Sequence, residues 1–263
     1  MFCIGLELNF ANSKEQITMY DVPPATSKPY QSGNWIGSTE QGGSCNFRTV
    51  QITPHCNGTH TESIGHIVND KIFLPHVLKS PVFNSLLITI PCHLYETNDN
   101  FIAKENYLPL LENGDQLLLK LDLEKIIEPQ FNGIKKNKIE GIIIRTLPNS
   151  EEKKIQNYHL NFAPFFSNDA MLYLTHLFKH IIVDLPSIDK AYDEGLLSNH
   201  HIFWNQPIKE YTLQPNAFIE KTITELVYIP DEITDGVYET IIGFPLWKEE
   251  AVPSSVWIKP IDF

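Results

Sequence analysis

The segment Ser167–Asp184 constrains the fold more than any other part of the chain. Ser167 suits an N-cap, Asp169 complements the positive end of a helix dipole, and Met171, Leu174, Leu177 and Phe178 form one apolar stripe. His176, Lys179 and His180 fall near the C-terminal end, where cations are favoured. The strand pattern His180–Asp184 (HIIVD) follows at once. A helix that runs straight into a buried strand is the second half of a crossover, so part of the sheet is expected to be parallel. Leu86–Pro91 and Gly141–Thr146 are short, β-branched apolar runs that suit buried strands, as does the alternating Asn46–Thr53, which stops at Pro54. Lys135–Lys138 reads as a solvated basic turn, and Tyr192–Trp204 as a helix with His200 and His201 in its last turns. Gly236–Phe244 and Ser254–Ile261 read as a closing pair of strands. The expectation is a mixed α/β chain. No change in composition marks a linker, so residues 1–263 are expected to form one domain.

Composition narrows the partners. With 42% hydrophobic residues the chain can bury enough surface to offset its ordering entropy, which argues against disorder. Twenty Lys and Arg against thirty-two Asp and Glu leave a formal charge of −12, the wrong sign for neutralising phosphates. Four cysteines are too few for a disulfide scaffold at this length, and a reducing, cytoplasmic setting is expected. The opening MFCIGLELNF lacks a basic region followed by an apolar one, and no apolar run approaches the roughly 20 residues of a membrane helix. The expected partner is a small molecule, with neither nucleic acid nor membrane.

The segment richest in chemistry is Thr53–Ile67, TPHCNGTHTESIGHI. It gathers His55, Cys56, His60, Glu62 and His66 around two glycines. Sulfur, imidazole and carboxylate donors together suit borderline divalent metals. On a strand, Cys56, His60, Glu62 and His66 share one face and His55 lies opposite. Ten extended residues span about 33 Å, far more than bonds of about 2.0–2.3 Å permit, so the segment must bend if its donors converge. Asn57-Gly58 and Gly65 allow this. The expected geometry is a strand carrying Cys56 and His60, then a helical turn presenting Glu62 and His66. The same residues also fit a polar loop whose histidines satisfy local hydrogen bonds.

The run G-T-H-x-E-x-x-x-H resembles the signature of the metal-dependent hydrolases that include kynurenine formamidase (arylformamidase) and the cyclases, usually H-x-G-T-H-x-D-x-P-x-H. Gly58, Thr59, His60 and His66 match directly, Cys56 stands at the first His, Glu62 at the Asp and Ile64 at the Pro. Asp184–Asp189 (DLPSID) is similar to the family's D-T-P-S-x-D, His200 opens a run similar to its H-x-x-L-L, and Phe218-Ile219-Glu220 resembles its late apolar–Glu element. The resemblance runs from about residue 46 onward.

It implies a swivelling β/β/α fold, assembly as a homodimer or larger oligomer, and one or two divalent ions, Zn²⁺ foremost and Mn²⁺ second. The implied ligands are Cys56, His60, Glu62, His66 and Glu220, with Glu62 able to bridge two ions and His200 as proton carrier. The implied activity is hydrolysis of a small amide, formamide or lactone by metal-activated water, with an arylformamidase as the pattern. Cys56 and Glu62 depart from the family, since a thiolate favours softer metals and Glu is one methylene longer than Asp. Two other readings stand beside this one. One is a lapsed site kept for ligand binding or oligomer contacts. The other is a mononuclear iron oxygenase built on His60 and Glu62, which calls for an all-β barrel. Ser44, Ser63 and Ser187 lack a G-x-S-x-G setting, so no serine nucleophile is expected.

Overall fold

A computed structural model of the chain describes residues 1–97, 104–131 and 138–261. Its centre is a curled nine-stranded sheet. In chain order the strands are β1 (Phe2–Cys3), β2 (His60–Glu62), β3 (Val82–Pro91), β4 (Gly141–Leu147), β5 (His180–Val183), β6 (Thr222–Glu225), β7 (Gly236–Gly243), β8 (Ala251–Pro253) and β9 (Ser255–Pro260). In space they run β1-β9-β7-β3-β4-β5-β6-β2-β8. The helices are α1 (Pro54–Asn57), α2 (Leu74–Val77), α3 (Lys120–Gln130), α4 (Asn168–Leu177) and α5 (Ser198–Trp204).

The expected crossover is present. Ser167 caps α4 by accepting the backbone N–H of Ala170, and β5 pairs parallel with β4, Gly141 opposite His180. Strands β3, β4, β5 and β6 are all parallel, with α3, α4 and α5 in the connections between them. Alternation along these strands splits the core. Leu86, Ile88, Ile142, Ile144, Ile181 and Val183 pack with Leu123, Ile127, Met171, Leu174, Phe203 and Trp204 of the helices. Leu87, Ile143 and Ile182 face the other way, onto Val227, Tyr238, Ile242 and Val256. Each such Leu or Ile withdrawn fully from water contributes about 1.5–3 kcal/mol. This helix-covered parallel sheet removes the all-β barrel that the oxygenase reading required.

Three sequence expectations are corrected. Asn46–Thr53 yields only Arg48–Gln51, exposed at every position and paired with Thr26–Pro29 outside the main sheet. Alternation was present, but no face found a core. The Tyr192–Trp204 helix shrinks to α5, because Asp193 accepts the backbone N–H groups of Gly195, Leu196 and Leu197, and Gly195 adopts φ 71°. Those bonds hold a turn where a helix would need them elsewhere. Helix α3 was not anticipated; it buries Leu123 and Ile127, one turn apart. The expected basic turn at Lys135–Lys138 lies, except for Lys138, outside the described residues.

Candidate metal centre

Strand β2 is three residues long and wholly buried, and its two neighbours bring carboxylates to it. On one side β6 runs antiparallel with Glu225 opposite His60 and Ile223 opposite Glu62. On the other, β8 places Ala251 opposite Glu62, so that Glu250 arrives just before the pairing begins. His60 and Glu62 are two residues apart and share a face, as the alternation requires.

Just upstream, Pro54 opens the helical turn α1, so His55 and Cys56 do not follow strand alternation. His55 is turned to the site: Nδ1 lies 3.4 Å from Glu62 Oε2, and Nε2 lies 3.0 Å from Glu250 Oε1. Cys56 goes the other way, into an apolar cluster with Ile17, Met19, Tyr158 and Leu226. Burial, with the charge of Glu225 adding to it, pushes its thiol up to about 11. It is therefore a neutral, packed thiol at physiological pH. The structure does not bring Cys56 among the donors around Glu62. A proline at the first helical position was the signal that strand parity would fail here.

Downstream, Ile64–His66 forms a single 3-10 turn that returns His66 to within 3.8 Å of Glu62 Oε2. Glu220 is exposed, five residues short of the carboxylate that occupies the site. That carboxylate is Glu225: Oε2 lies 3.4 Å from His60 Nε2, and Oε1 lies 3.9 Å from His200 Nε2. The β-branched run Thr222–Thr224 ending in Glu225 was a strand pattern readable in the sequence.

His200 sits in the first turn of α5, 2% exposed. Nδ1 donates to Asp189 Oδ2 at 2.6 Å, and Nε2 lies 2.9 Å from Glu62 Oε1. Asp189 also accepts the backbone N–H groups of Asn199 and His200, which fixes the helix start and the ring together. Burial alone would lower His200, yet Glu62 and Asp189 outweigh it and hold the ring well above its ordinary value. Burial alone would raise Glu62; the charges of His66 and His200, the bond from His200 and the charge of His55 overcome it and drive the carboxyl below its usual range. His66 is pushed down to about 4, chiefly by burial, against the pull of Glu62.

Two donor sets therefore share Glu62. Glu62, His200 and Glu225 form a buried one, and His55, Glu62, His66 and Glu250 form one nearer solvent; within each set the donor atoms lie within 4.8 Å of one another. Glu62 Oε2 and His60 Nε2 are buried without a hydrogen-bond partner. Leaving such atoms unsatisfied costs about 1–3 kcal/mol each, more when charged. A divalent cation supplies what both lack, so the residues fit a metal ion. On the solvent side, His66, Leu197, His201, Lys209 and Tyr211 help line an open cleft of about 150 Å³.

The "Putative cyclase" family model matches residues 6–190. No curated protein matches the chain in sequence. Among solved structures, a predicted metal-dependent hydrolase from Bacillus stearothermophilus is 16% identical, with 98% of this chain and 96% of that one covered and a TM-score of 0.57. An isatin hydrolase bound to the product analogue thioisatinate is 11% identical, covering 98% and 92%, at a TM-score of 0.61. Isatin hydrolase A from Ralstonia solanacearum is 12% identical, covering 97% and 90%, at 0.59. The swivelling β/β/α architecture expected from the motif is thus the fold of this chain, and by its sequence the chain belongs to the cyclase family.

Proposed function

We propose that the chain is a metal-dependent hydrolase of small cyclic or aryl amides, formamides or lactones. One observation carries this reading: a fully buried glutamate, Glu62, turns an unbonded oxygen towards the imidazoles of His55 and His66. His60, Glu62 and Glu225 would hold the ion on the buried side. A divalent cation, Zn²⁺ foremost, supplies acidified water and a polarised carbonyl when bound. His200 is the proton carrier at Nε2, and Asp189, bonded to Nδ1, keeps that nitrogen directed at Glu62. The cleft beside His66 admits a small substrate, and Lys209 at its wall suits one whose product bears a carboxylate. Solved relatives named as isatin hydrolases support a cyclic amide as readily as an open formamide.

The close approach of the donors counts against a lapsed site. Homodimers or larger assemblies belong to the same proposal, supported by the exposed, mutually packed rings of Tyr30, Trp35 and Phe47. Four free cysteines suit the proposed cytoplasmic setting. Among the described residues, no helix is long and apolar enough to cross a membrane. The test is hydrolysis of isatin, an aryl formamide and a lactone before chelation, after it, and after Zn²⁺ or Mn²⁺ is restored. Chelator-sensitive turnover of one of them is expected. No turnover in any metal-loaded sample removes the hydrolase reading.

A further inference from the structure

Glu250 lies outside every motif considered above, yet the fold delivers it to the site deliberately. Its backbone carbonyl accepts both the N–H of Ser63, at 3.0 Å, and the Ser63 hydroxyl, at 3.2 Å. The approach is close enough that Gly65 has no room for a side chain. A Cβ there would stand 2.8 Å from Glu250 Cβ and would strike the carbonyl oxygen of Ile72. The segment before β8 is thereby clamped to the turn that carries His66. Glu250 Oε1 then meets His55, while Oε2 is buried without a hydrogen-bond partner and lies 3.9 Å from His66 Nδ1.

The two imidazoles opposite are side by side, ring centroids 4.4 Å apart. Both are 26% exposed, and Glu250 is 34% exposed, so this side of Glu62 opens to solvent. Two imidazoles and two carboxylates make a four-donor N/O set of the kind Zn²⁺ accepts. His55 is suited to it for a further reason. It stands between Glu62 and Glu250, so whichever nitrogen takes an ion leaves the other facing a carboxylate that fixes the ring.

We propose that His55, His66 and Glu250, with the shared Glu62, form a second divalent-cation site. His55 and Glu250 are its off-motif ligands. The departure at Cys56 then has a structural counterpart, since the neighbouring residue supplies an imidazole from the same helical turn. The proposal rests on the metal-centre reading only through Glu62, and its test does not depend on turnover.

The experiment loads the full chain with Zn²⁺, removes free metal, and combines elemental analysis with anomalous diffraction at the zinc edge. Glu250→Gln and His55→Asn are expected to bind one Zn²⁺ fewer per chain than the wild type. The wild-type map is expected to show a peak at ligand distance from His55 and Glu250. Glu225→Gln serves as comparator and should keep that peak. Melting of the metal-free variants checks folding, which the backbone pairing of Glu250 should preserve. Wild-type zinc content in Glu250→Gln, or a wild-type map with density only among His60, Glu62, His200 and Glu225, overturns the site. Absence of hydrolysis with the outer peak present instead overturns the hydrolase reading and leaves this site standing.

Discussion

Asp189→Asn isolates the part of the centre that works through position alone. Asparagine keeps the size of the side chain, and its oxygen can still accept the N–H groups of Asn199 and His200, now 2.7 and 3.2 Å away. The 2.6 Å charge-assisted bond to His200 Nδ1 is what disappears. Such bonds are worth about 1.5–3 kcal/mol. If that energy orients the ring in the transition state, kcat should fall about 10- to 150-fold at 1.36 kcal/mol per decade. KM should stay near wild type, because Asp189 is 3% exposed, behind His200. The assay is steady-state hydrolysis of the best substrate, with zinc content measured in the same samples. Turnover within twofold of wild type at equal zinc content would refute the positioning role. So would a loss explained wholly by lost metal.

Further outcomes follow from other contacts. Cys56→Ser should keep its zinc, because the thiol packs among apolar groups, and should lose about 1–3 kcal/mol of stability for the buried hydroxyl. Zinc loss in that variant would return Cys56 to the ligands. Arg145 donates to Thr89, Pro230, Ile233 and Asp235, so Arg145→Leu should cost about 3 kcal/mol in urea unfolding. The lower end of the range applies because Asp235 is one-third exposed, and a loss under about 1 kcal/mol contradicts it. Burial pushes Lys221 from 10.5 down to about 8. Between those values the unfolded chain binds the extra proton, so wild-type stability should rise with pH relative to Lys221→Met. A stability gap that stays constant across that window would argue against it.

The framework of the sheet was legible because its signals are local. A capped helix abutting HIIVD, and the runs LLITIP and GIIIRT, became α4, β5, β3 and β4 in parallel register. Asn46–Thr53 misled because alternation reports a pleat and not a burial partner. At the site, His60, Glu62 and His66 were readable from spacing and resemblance, and the structure gathers them around one carboxylate. Cys56 and His55 exchanged places because one helical turn rotates neighbouring residues by about 100°, whereas a strand flips them by 180°. Glu225 was missed for Glu220, an ambiguity only strand register resolves. Glu250 reaches the site through pairing with a strand about 190 positions earlier, so no local pattern could announce it.

The three-residue strand β2 also sets a timetable. Thr61 finds its partner Thr224 across a sequence separation of 163 residues, and Val252 completes the other edge later still. At roughly 5–20 residues per second, a ribosome needs on the order of 8–30 s to make the first of those partners after β2 has emerged. Throughout that interval His60 and Glu62 have no sheet to occupy. Metal capture is therefore tied to the last stage of synthesis, when the flanking strands close on β2. A nascent chain would be expected to pass most of its time on the ribosome with the motif present and the pocket not yet formed.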